Sequence, residues 1–384
     1  MLLRLLFRNV VRRKLRTCLT VCGIAVAILA FGLLRTVIDA WYIGVQASSA
    51  NRLITRNAIS LIMPLPLAYK ERVEGLEGVT IVSYANWFGG IYIDEKNFFA
   101  NFAVEPRSYL SLYPEFLLPD EQREAFLRDR KACIVGRKLA KRFGWNIGDT
   151  VTLRGTIFPG NWDFVIRAIY RGRDRSVDET QFFFHWAYLN ERLKVTAPRR
   201  ADEVGIYLLA ITNPGLAAAM AKGIDGLFKN SFAETLTETE KAFQMSFVAM
   251  TETILMVIRV VSLVVIIIIM VVMANTMNMS VRERMGEYAV FKTLGFGGGY
   301  LTALILGESL VISALGGACG ILCTFPAAEI FARELGAFFP VFHVSRATIL
   351  MDCAAALIVG IVAGIFPAWR AFRVPIVKGL GRIG

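Results

Sequence analysis

The sequence predicts an α-helical membrane protein with four transmembrane helices and a mixed α/β extracytoplasmic domain between helices 1 and 2. The chain is 55% hydrophobic with a mean hydropathy of +0.52, which is too apolar for a soluble protein and too polar for membrane spans alone. Four apolar windows are long enough for helices that cross a hydrocarbon core of ~30 Å. The segment between the first two windows, residues 39–253, is long enough to have its own core.

Hydropathy and charge divide the chain into nine segments. In order they are a cytoplasmic amphipathic helix (1–17), the first span (18–38), the extracytoplasmic α/β domain with membrane-proximal stalk helices (39–253), the second span (254–279), a cytoplasmic coupling helix (280–300), the third span (301–325), a short extracytoplasmic loop (326–348), the fourth span (349–369) and a cytoplasmic tail (370–384).

The distribution of charge predicts the orientation. Residues 1–17, 280–300 and 369–384 together carry +11 of the net charge of +12. These three segments lie on one side of the membrane if the four spans alternate, and an excess of Lys and Arg marks the cytoplasmic side. Both termini are therefore predicted to be cytoplasmic. The same distribution argues against nucleic-acid binding, because the remaining residues carry almost no net charge.

The first segment alternates leucines and arginines, so we expect a basic amphipathic helix on membrane lipid. A signal-peptide n-region is the alternative. The apolar run that follows ends without a good small-x-small cleavage site, which favours an uncleaved anchor.

Alternating apolar runs predict several strands in the extracytoplasmic domain. Residues 131–155 are predicted as strand, helix, turn and strand, and residues 180–189 as a strand. Before the second span, Phe243, Phe247, Met250 and Ile254 recur at steps of four and three. This spacing predicts a stalk helix that continues unbroken into the span and pairs with the helix after the first span. The alternative is a surface helix packed on its own domain.

The polar segment after the second span predicts a short amphipathic helix from Ser280 to Leu294, ended by glycines from Gly295 onward. One predicted face combines Met285, Tyr288 and Ala289 with Phe291 or Leu294. On pattern alone, an ordinary interfacial helix between two spans is an equal alternative.

Small residues in the last two spans predict close helix contacts. The predicted contact residues are Gly316, Gly320, Gly360 and Gly364. Glu308 would be costly against lipid, so we expect it to point toward protein or lie near an interface. A structural role is favoured for it over proton coupling.

No catalytic or metal site is predicted. The sequence contains no G-x-x-x-x-G-K-[ST] P-loop and no G-x-S-x-G motif, and its two histidines have no ligand-like spacing. We therefore expect no cofactor in this chain and no enzymatic activity of its own.

Three stretches resemble one family. These are NTMNMSVRERMGEYAVFKTLGF (275–296), LILGESLVISALGGACG (304–320) and PAWRAFRVPIVKGL (367–380). They resemble FtsX/MacB-type permease subunits of ABC transporters, the type VII or mechanotransmission family. Residues 134–153 and 164–170 resemble the small α/β subdomain in the extracytoplasmic part of MacB-type permeases.

The resemblance implies a permease in the bacterial inner membrane that converts ATP hydrolysis by a separate ATPase into movement of its periplasmic domain, for export of a drug, peptide or lipid-linked substrate. The implied partners are two ATPase copies that bind ATP and Mg, a second permease copy as a homodimer or closely related heterodimer, and a periplasmic adaptor with an outer-membrane channel. The implied ATPase-coupling residues fall into two groups. Met285, Tyr288, Phe291 and Leu294 belong to an apolar docking face that would enter a groove on the ATPase with Tyr288 as its anchor, and Arg282, Glu283, Arg284 and Glu287 would form a charged rim around it.

Several alternatives stay open at this point. The fused N-terminal ATPase domain of MacB-type exporters is not in this sequence, which argues against macrolide efflux itself. Lipoprotein extraction and control of a cell-wall hydrolase fit the same family. A membrane-anchored sensory or adhesion protein is the alternative from another class, and it requires no ATPase.

Overall fold

The computed structural model describes residues 12–334, 339 and 341–373. Residues 1–11 of the predicted amphipathic helix and residues 374–384 of the predicted cytoplasmic tail therefore lie outside the described residues. The chain divides into two compact units. We call them the helical unit (1–40, 251–334 and 342–384) and the sheet unit (41–250 and 335–341), and each is described by itself.

The elements alternate between strands and helices in the middle of the chain and are helical at both ends. In chain order they are α1 (Lys14–Ala47), β1 (Arg52–Asn57), β2 (Leu65–Pro66), α2 (Tyr69–Glu74), β3 (Val79–Trp87), β4 (Gly90–Ile91), β5 (Asn101–Val104), α3 (Pro106–Leu112), β6 (Phe116–Leu117), α4 (Asp120–Arg128), β7 (Ala132–Gly136), α5 (Arg137–Phe143), β8 (Thr150–Gly155), β9 (Gly160–Gly172), β10 (Phe182–His185), α6 (Trp186–Thr196), β11 (Glu203–Val204), β12 (Ile206–Ile211), α7 (Ala217–Leu227), β13 (Thr235–Thr239), α8 (Glu240–Met250), α9 (Glu252–Glu283), α10 (Met285–Thr293), α11 (Gly298–Glu334) and α12 (Arg346–Phe372).

The predicted fold class is confirmed. Four helices, α1, α9, α11 and α12, are long and apolar enough to cross a membrane, with mean hydropathies of 1.9 to 3.2 in their best windows. All four extend beyond the predicted spans, because polar residues continue each helix past its apolar window. Between α1 and α9 lies a mixed sheet with helices on it.

The main sheet runs β13-β1-β12-β3-β5-β10-β7-β9-β8-β4, with β6 paired to β9. Only the β10–β5 and β7–β9 pairs are parallel; the other pairs described are antiparallel. Neighbouring residues along β1 enter different cores: Leu53 belongs to one apolar cluster and Ile54 to the other. Since strand side chains alternate in direction, the sheet is buried on both faces.

The predicted strand-helix-turn-strand element is present as β7, α5, the turn at Gly148 and β8. Gly136 lies directly before the helix, and no side chain fits there because a Cβ would lie 2.0 Å from the carbonyl oxygen of Glu179. The predicted strand at 180–189 is wrong in its second half. Trp186, Leu189 and Leu193 are buried at steps of three and four, so the chain is helical from Trp186 onward.

The four glycines predicted at helix contacts lie close to neighbouring helices within the helical unit. Gly316 and Gly320 face α1, where added Cβ atoms would lie 2.6 Å from Ile24 Cβ and 2.7 Å from the carbonyl oxygen of Ala25. Gly360 and Gly364 face α11 in the same way. There the hydroxyl of Ser309 donates a hydrogen bond of 2.6 Å to the carbonyl of Gly360, which joins α11 to α12.

Gly320→Ala is expected to lower the stability of the helical unit. Its new methyl group would meet the backbone of α1, which cannot yield as a flexible side chain can, and overpacking of this kind costs about 1–3 kcal/mol. The matched control is Gly299→Ala, because a Cβ at Gly299 meets nothing within 4 Å. Thermal unfolding of both purified full-length variants in detergent would measure the difference. Equal melting of the two variants would contradict the close contact.

Candidate functional site

The candidate site is the short helix α10 between α9 and α11. The second long helix does not end at residue 279 as predicted, but continues to Glu283. Arg284 has φ −103° and ψ 14°, which breaks the helix, and α10 follows from Met285 to Thr293. The predicted start at Ser280 is therefore wrong. Gly295 ends the segment with φ +90°, a conformation that favours glycine.

Arg284 joins α10 to α11 through a buried ion pair. Its guanidinium lies 2.8 Å from the carboxylate of Glu308 and 3.2 Å from that of Glu287. The side chains of Arg284 and Glu308 are 12% and 7% exposed. Burial opposes the charge on Arg284, but the neighbouring Tyr288, Glu308 and Glu287 raise its pKa overall. Glu308 thus points toward protein, as predicted.

The predicted docking face of α10 is turned inward. Tyr288 is 1% exposed and lies in one apolar cluster with residues of α9 and α11 such as Val281 and Leu301, and Ala289 is completely buried. Burial raises the pKa of Tyr288 to about 12. The prediction that Tyr288 anchors the chain in an ATPase groove is wrong for this arrangement, since the side chain is covered by its own helices.

Of the predicted docking residues, Leu294 is the one whose apolar side chain faces outward, together with two residues that were not predicted. Leu294 is 69% exposed, Val290 42% and Phe296 40%. Met285 and Phe291, which were also predicted to dock, are half-buried against the helical unit's own core. Sequence reasoning missed Val290 and Phe296. Helical periodicity could have grouped Val290 with Leu294, which lies four residues later.

The predicted charged rim of α10 is bound by the beginning of α1 and the residues before it. The carboxylate of Glu283 lies 2.6 Å from Arg13 and 2.8 Å from Arg16, and that of Glu287 lies 2.6 Å from Arg12. Burial opposes ionisation of Glu287, but the neighbouring Arg12 and Arg284 lower the pKa of its carboxyl group overall. Arg282, the remaining residue of the predicted rim, is exposed.

A further contact joins α10 to α12. Lys292 Nζ donates a hydrogen bond of 3.0 Å to the carbonyl oxygen of Phe372, at the end of α12. The ring of Phe372 also lies against Gly298, where a Cβ would be 2.6 Å from the ring. Together with the Arg284 contacts, these interactions fix α10 to α9, α11 and α12.

The predicted stalk is interrupted. α8 ends at Met250 and α9 begins at Glu252, so the expected unbroken helix is wrong at Thr251, which has turn geometry. Phe243 packs partly against a core of the sheet unit, as the alternative of a surface helix requires. Phe247, Met250 and Ile254 are 42%, 78% and 56% exposed, and their pairing with the end of α1 stays a prediction.

The sheet unit contains a second buried charge network, which was not predicted. Arg52 lies at the start of β1, and its guanidinium is 2.7 Å from Glu240 and 2.7 Å from Glu115. It also lies 4.3 Å from the ring centroid of Tyr113, whose hydroxyl donates to Glu240. Since Glu240 is the first residue of α8, the network fixes the start of β1 to the end of β13 and the start of α8.

Among the described residues, no group of three or more His, Cys, Asp or Glu side chains could hold a metal ion. The polar clusters around Arg284 and Arg52 are ion pairs and hydrogen bonds that join secondary-structure elements.

Comparison with known proteins agrees with this architecture. Residues 259–376, which contain α10 and the last two long helices, match the family model of the FtsX-like permease C-terminal domain. The chain is 22% identical to an uncharacterised ABC transporter permease of Methanocaldococcus jannaschii, over 94% of this chain and 93% of that protein.

The chain is thus similar to permeases of the FtsX/MacB type and contains an FtsX-like permease C-terminal domain. It is 23% identical to the macrolide export ATP-binding/permease protein MacB of Psychrobacter cryohalolentis, over 72% of the permease and 42% of MacB. The permease thus spans less than half the length of that relative. The extracellular domain of the YknZ transporter from Gram-positive bacteria covers 49% of the permease at 12% identity, with a TM-score of 0.36. The predicted resemblance is confirmed, and the permease is a multi-pass membrane protein by its four long apolar helices.

Proposed function

We propose that the permease is the transmembrane subunit of an ABC transporter and that α10 transmits the motion of a separate ATPase to the spans. The observation that carries this proposal is the buried Arg284–Glu308 pair, which joins α10 to α11 at 2.8 Å. A short helix fixed to three long helices cannot be displaced without moving them. Such a helix is suited to transmit a force applied at the membrane surface to the long helices.

The chemistry of ATP hydrolysis is assigned to the partner. With no P-loop in the sequence, we assign ATP and Mg to two copies of a separate ATPase, and no enzymatic step to this chain. A second permease copy would complete a symmetric assembly. A periplasmic adaptor and an outer-membrane channel are further proposed partners.

The orientation follows from charge. We place both termini and α10 on the cytoplasmic side of a bacterial inner membrane and the sheet unit on the other side, on the basis of the excess of Lys and Arg. The basic residues that bind Glu283 and Glu287 support this placement, because they keep the start of α1 on the same side as α10.

For the docking surface we propose the outward face formed by Val290, Leu294 and Phe296. An exposed apolar patch at the end of a rigid helix suits an apolar groove on a partner, and a few buried anchors usually carry most of the affinity in such contacts. Arg12 and Glu287 lie beside it as a charged border, which would favour orientation more than affinity.

Leu294→Asp is expected to reduce retention of the ATPase at least tenfold, because a carboxylate would replace the most exposed apolar side chain of the patch. The matched control is Val195→Asp, which places the same charge on an apolar residue of the sheet unit that is 83% exposed. Co-purification of the ATPase from membranes with equal permease levels is the measurement. If both variants retain the ATPase equally, the patch is not the docking surface.

As cargo we propose a drug, peptide or lipid-linked compound. This cargo would be exported by the assembled transporter and would not pass through this chain by itself. The name of the MacB relatives, which states macrolide export, supports this direction of transport. Lipoprotein extraction and regulation of a cell-wall hydrolase would use the same transmission of ATPase motion to the spans. A sensory or adhesion protein would have no use for a short helix fixed to three spans.

A further inference from the structure

Asp352 is a completely buried acidic residue in α12, and the proposed coupling route makes no use of it. Both of its carboxylate oxygens are buried, and neither has a hydrogen-bond partner among the residues that the structure describes. One oxygen faces α1 so closely that a Cβ on Gly32 would lie 2.8 Å from it. Thr324 of α11 lies on the same side, but its hydroxyl donates to the carbonyl of Gly320.

An ionised carboxylate in this position would be severely destabilised. Removing a charge from water without a partner costs so much that the group usually becomes neutral instead. Unpaired acidic residues inside membrane helices are for this reason rare and mark functional positions. A proton is the one ligand that neutralises the carboxylate without any displacement of the three packed helices.

A complementary group lies one helical turn away. Arg35 follows Gly32 by three residues on α1, a rise of about 4.5 Å, and its Nε is also buried without a hydrogen-bond partner among the described residues. Arg35 itself is half-buried. A buried carboxyl group without a partner and a guanidinium whose Nε is unpaired, one turn apart, fit an element with a second arrangement in which they meet.

The other charged groups around this position are engaged or turned outward. On α1, Asp39 accepts hydrogen bonds of 2.8 and 2.9 Å from the hydroxyls of Ser345 and Thr348. The charged or ionisable residues on the other helices packed nearby all lie on exposed positions; these are Arg259 of α9, Cys323 and Glu329 of α11, and Arg346 and Cys353 of α12. In the described part of the chain no ion pair within 4.0 Å involves Asp352, which leaves Arg35 as the cation best placed to reach it from α1.

We propose that Asp352 binds a proton in this arrangement and that Arg35 replaces the proton when α1 shifts along α12. In this exchange the O–H bond of the carboxyl group breaks, the proton leaves to water, and the guanidinium compensates the new negative charge. Asp352 is the seventh residue of α12, about 9 Å from its beginning, so water at that end of the bundle is the nearest acceptor. Movement of α1 against α12 is thereby linked to release and uptake of one proton.

Infrared spectroscopy of the full-length permease in lipid nanodiscs tests the proton directly. A protonated buried carboxyl group has a carbonyl stretch that a carboxylate lacks. We expect this band at neutral pH in the parent protein and its loss in Asp352→Asn, a change of nearly equal size that preserves packing. Asp39→Asn is the matched control and should keep the band, because it leaves Asp352 in place and changes a carboxyl group that already has the hydroxyls of Ser345 and Thr348 as partners. Identical spectra of the parent and Asp352→Asn would overturn the proposal.

The role of Arg35 is tested by the same band as a function of pH. In Arg35→Gln the carboxylate has no cation to pair with, so the band should persist to a pH at least about 1 unit higher than in the parent. An unchanged midpoint would show that Arg35 is not the replacing cation. Neither measurement depends on the ATPase or on cargo, so the outcome is independent of the proposed function.

Discussion

Arg52→Met is expected to loosen the start of β1, the end of β13 and the start of α8 together. The substitution leaves Glu240, whose side chain is 8% exposed, and Glu115 without their shared cation. Removal of one partner from a buried ion pair costs about 3–5 kcal/mol, because the remaining charge stays buried. We expect faster amide hydrogen exchange at β1 and β13 in the full-length protein, with little change at β7 and β9.

A matched control lies four residues away on the same strand. Arg56 pairs with Glu238 at 3.2 Å, but both side chains are 20% exposed, so Arg56→Met should cost less than about 1 kcal/mol. A second variant separates charge from packing: adding Glu240→Gln to Arg52→Met removes the buried carboxylate and should restore part of the protection. Equal exchange in Arg52→Met and Arg56→Met would show that the network does not fix this junction.

Glu308→Ala is expected to destabilise the helical unit by about 3 kcal/mol, because Arg284 would remain buried with only the half-exposed Glu287 as its partner. The thermal midpoint of the purified permease should fall accordingly. The control is Glu287→Ala, since the side chain of Glu287 is 40% exposed and its removal should cost less than about 1 kcal/mol.

The double variant Arg284→Leu/Glu308→Leu distinguishes stability from transmission. Replacement of a buried ion pair by apolar side chains is often neutral or stabilising, so the thermal midpoint should recover. The specific link between α10 and α11 would still be missing. We therefore expect this variant to retain the ATPase but to lose the dependence of transport on ATP hydrolysis. A double variant that transports as well as the parent would show that the pair is not part of the coupling route.

Local patterns explain why the architecture could be predicted. A long apolar helix such as α9 can be recognised from composition alone, because a helix that crosses lipid needs a continuous apolar surface of a fixed length. The glycines at 316, 320, 360 and 364 were also predictable, since spacing of four places both members of each pair on one helix face. The same reasoning separated strands from helices in the sheet unit, except at Trp186, where an aromatic run suits either structure.

Periodicity could not decide which neighbour covers a face. α10 has apolar residues on more than one side. The sequence pattern grouped Tyr288 with Ala289, but it did not reveal that both are buried and that Tyr288 packs with residues of α9 and α11. The outward patch of Val290, Leu294 and Phe296 could be identified only from the structure, which shows which apolar residues of this region are buried and which are exposed.

The sequence alone determined the four spans, the mixed α/β domain between the first two, the distribution of charge and the family resemblance, because each of these depends on composition or on neighbouring residues. Only the tertiary structure decided the partners of the charged groups. Arg52 and Glu240 are 188 positions apart, and Asp352 meets α1 from the other end of the chain. Long-range contacts of this kind depend on how whole elements pack, and whether a buried charge finds a partner depends on that packing, so no local pattern in the sequence contains this information.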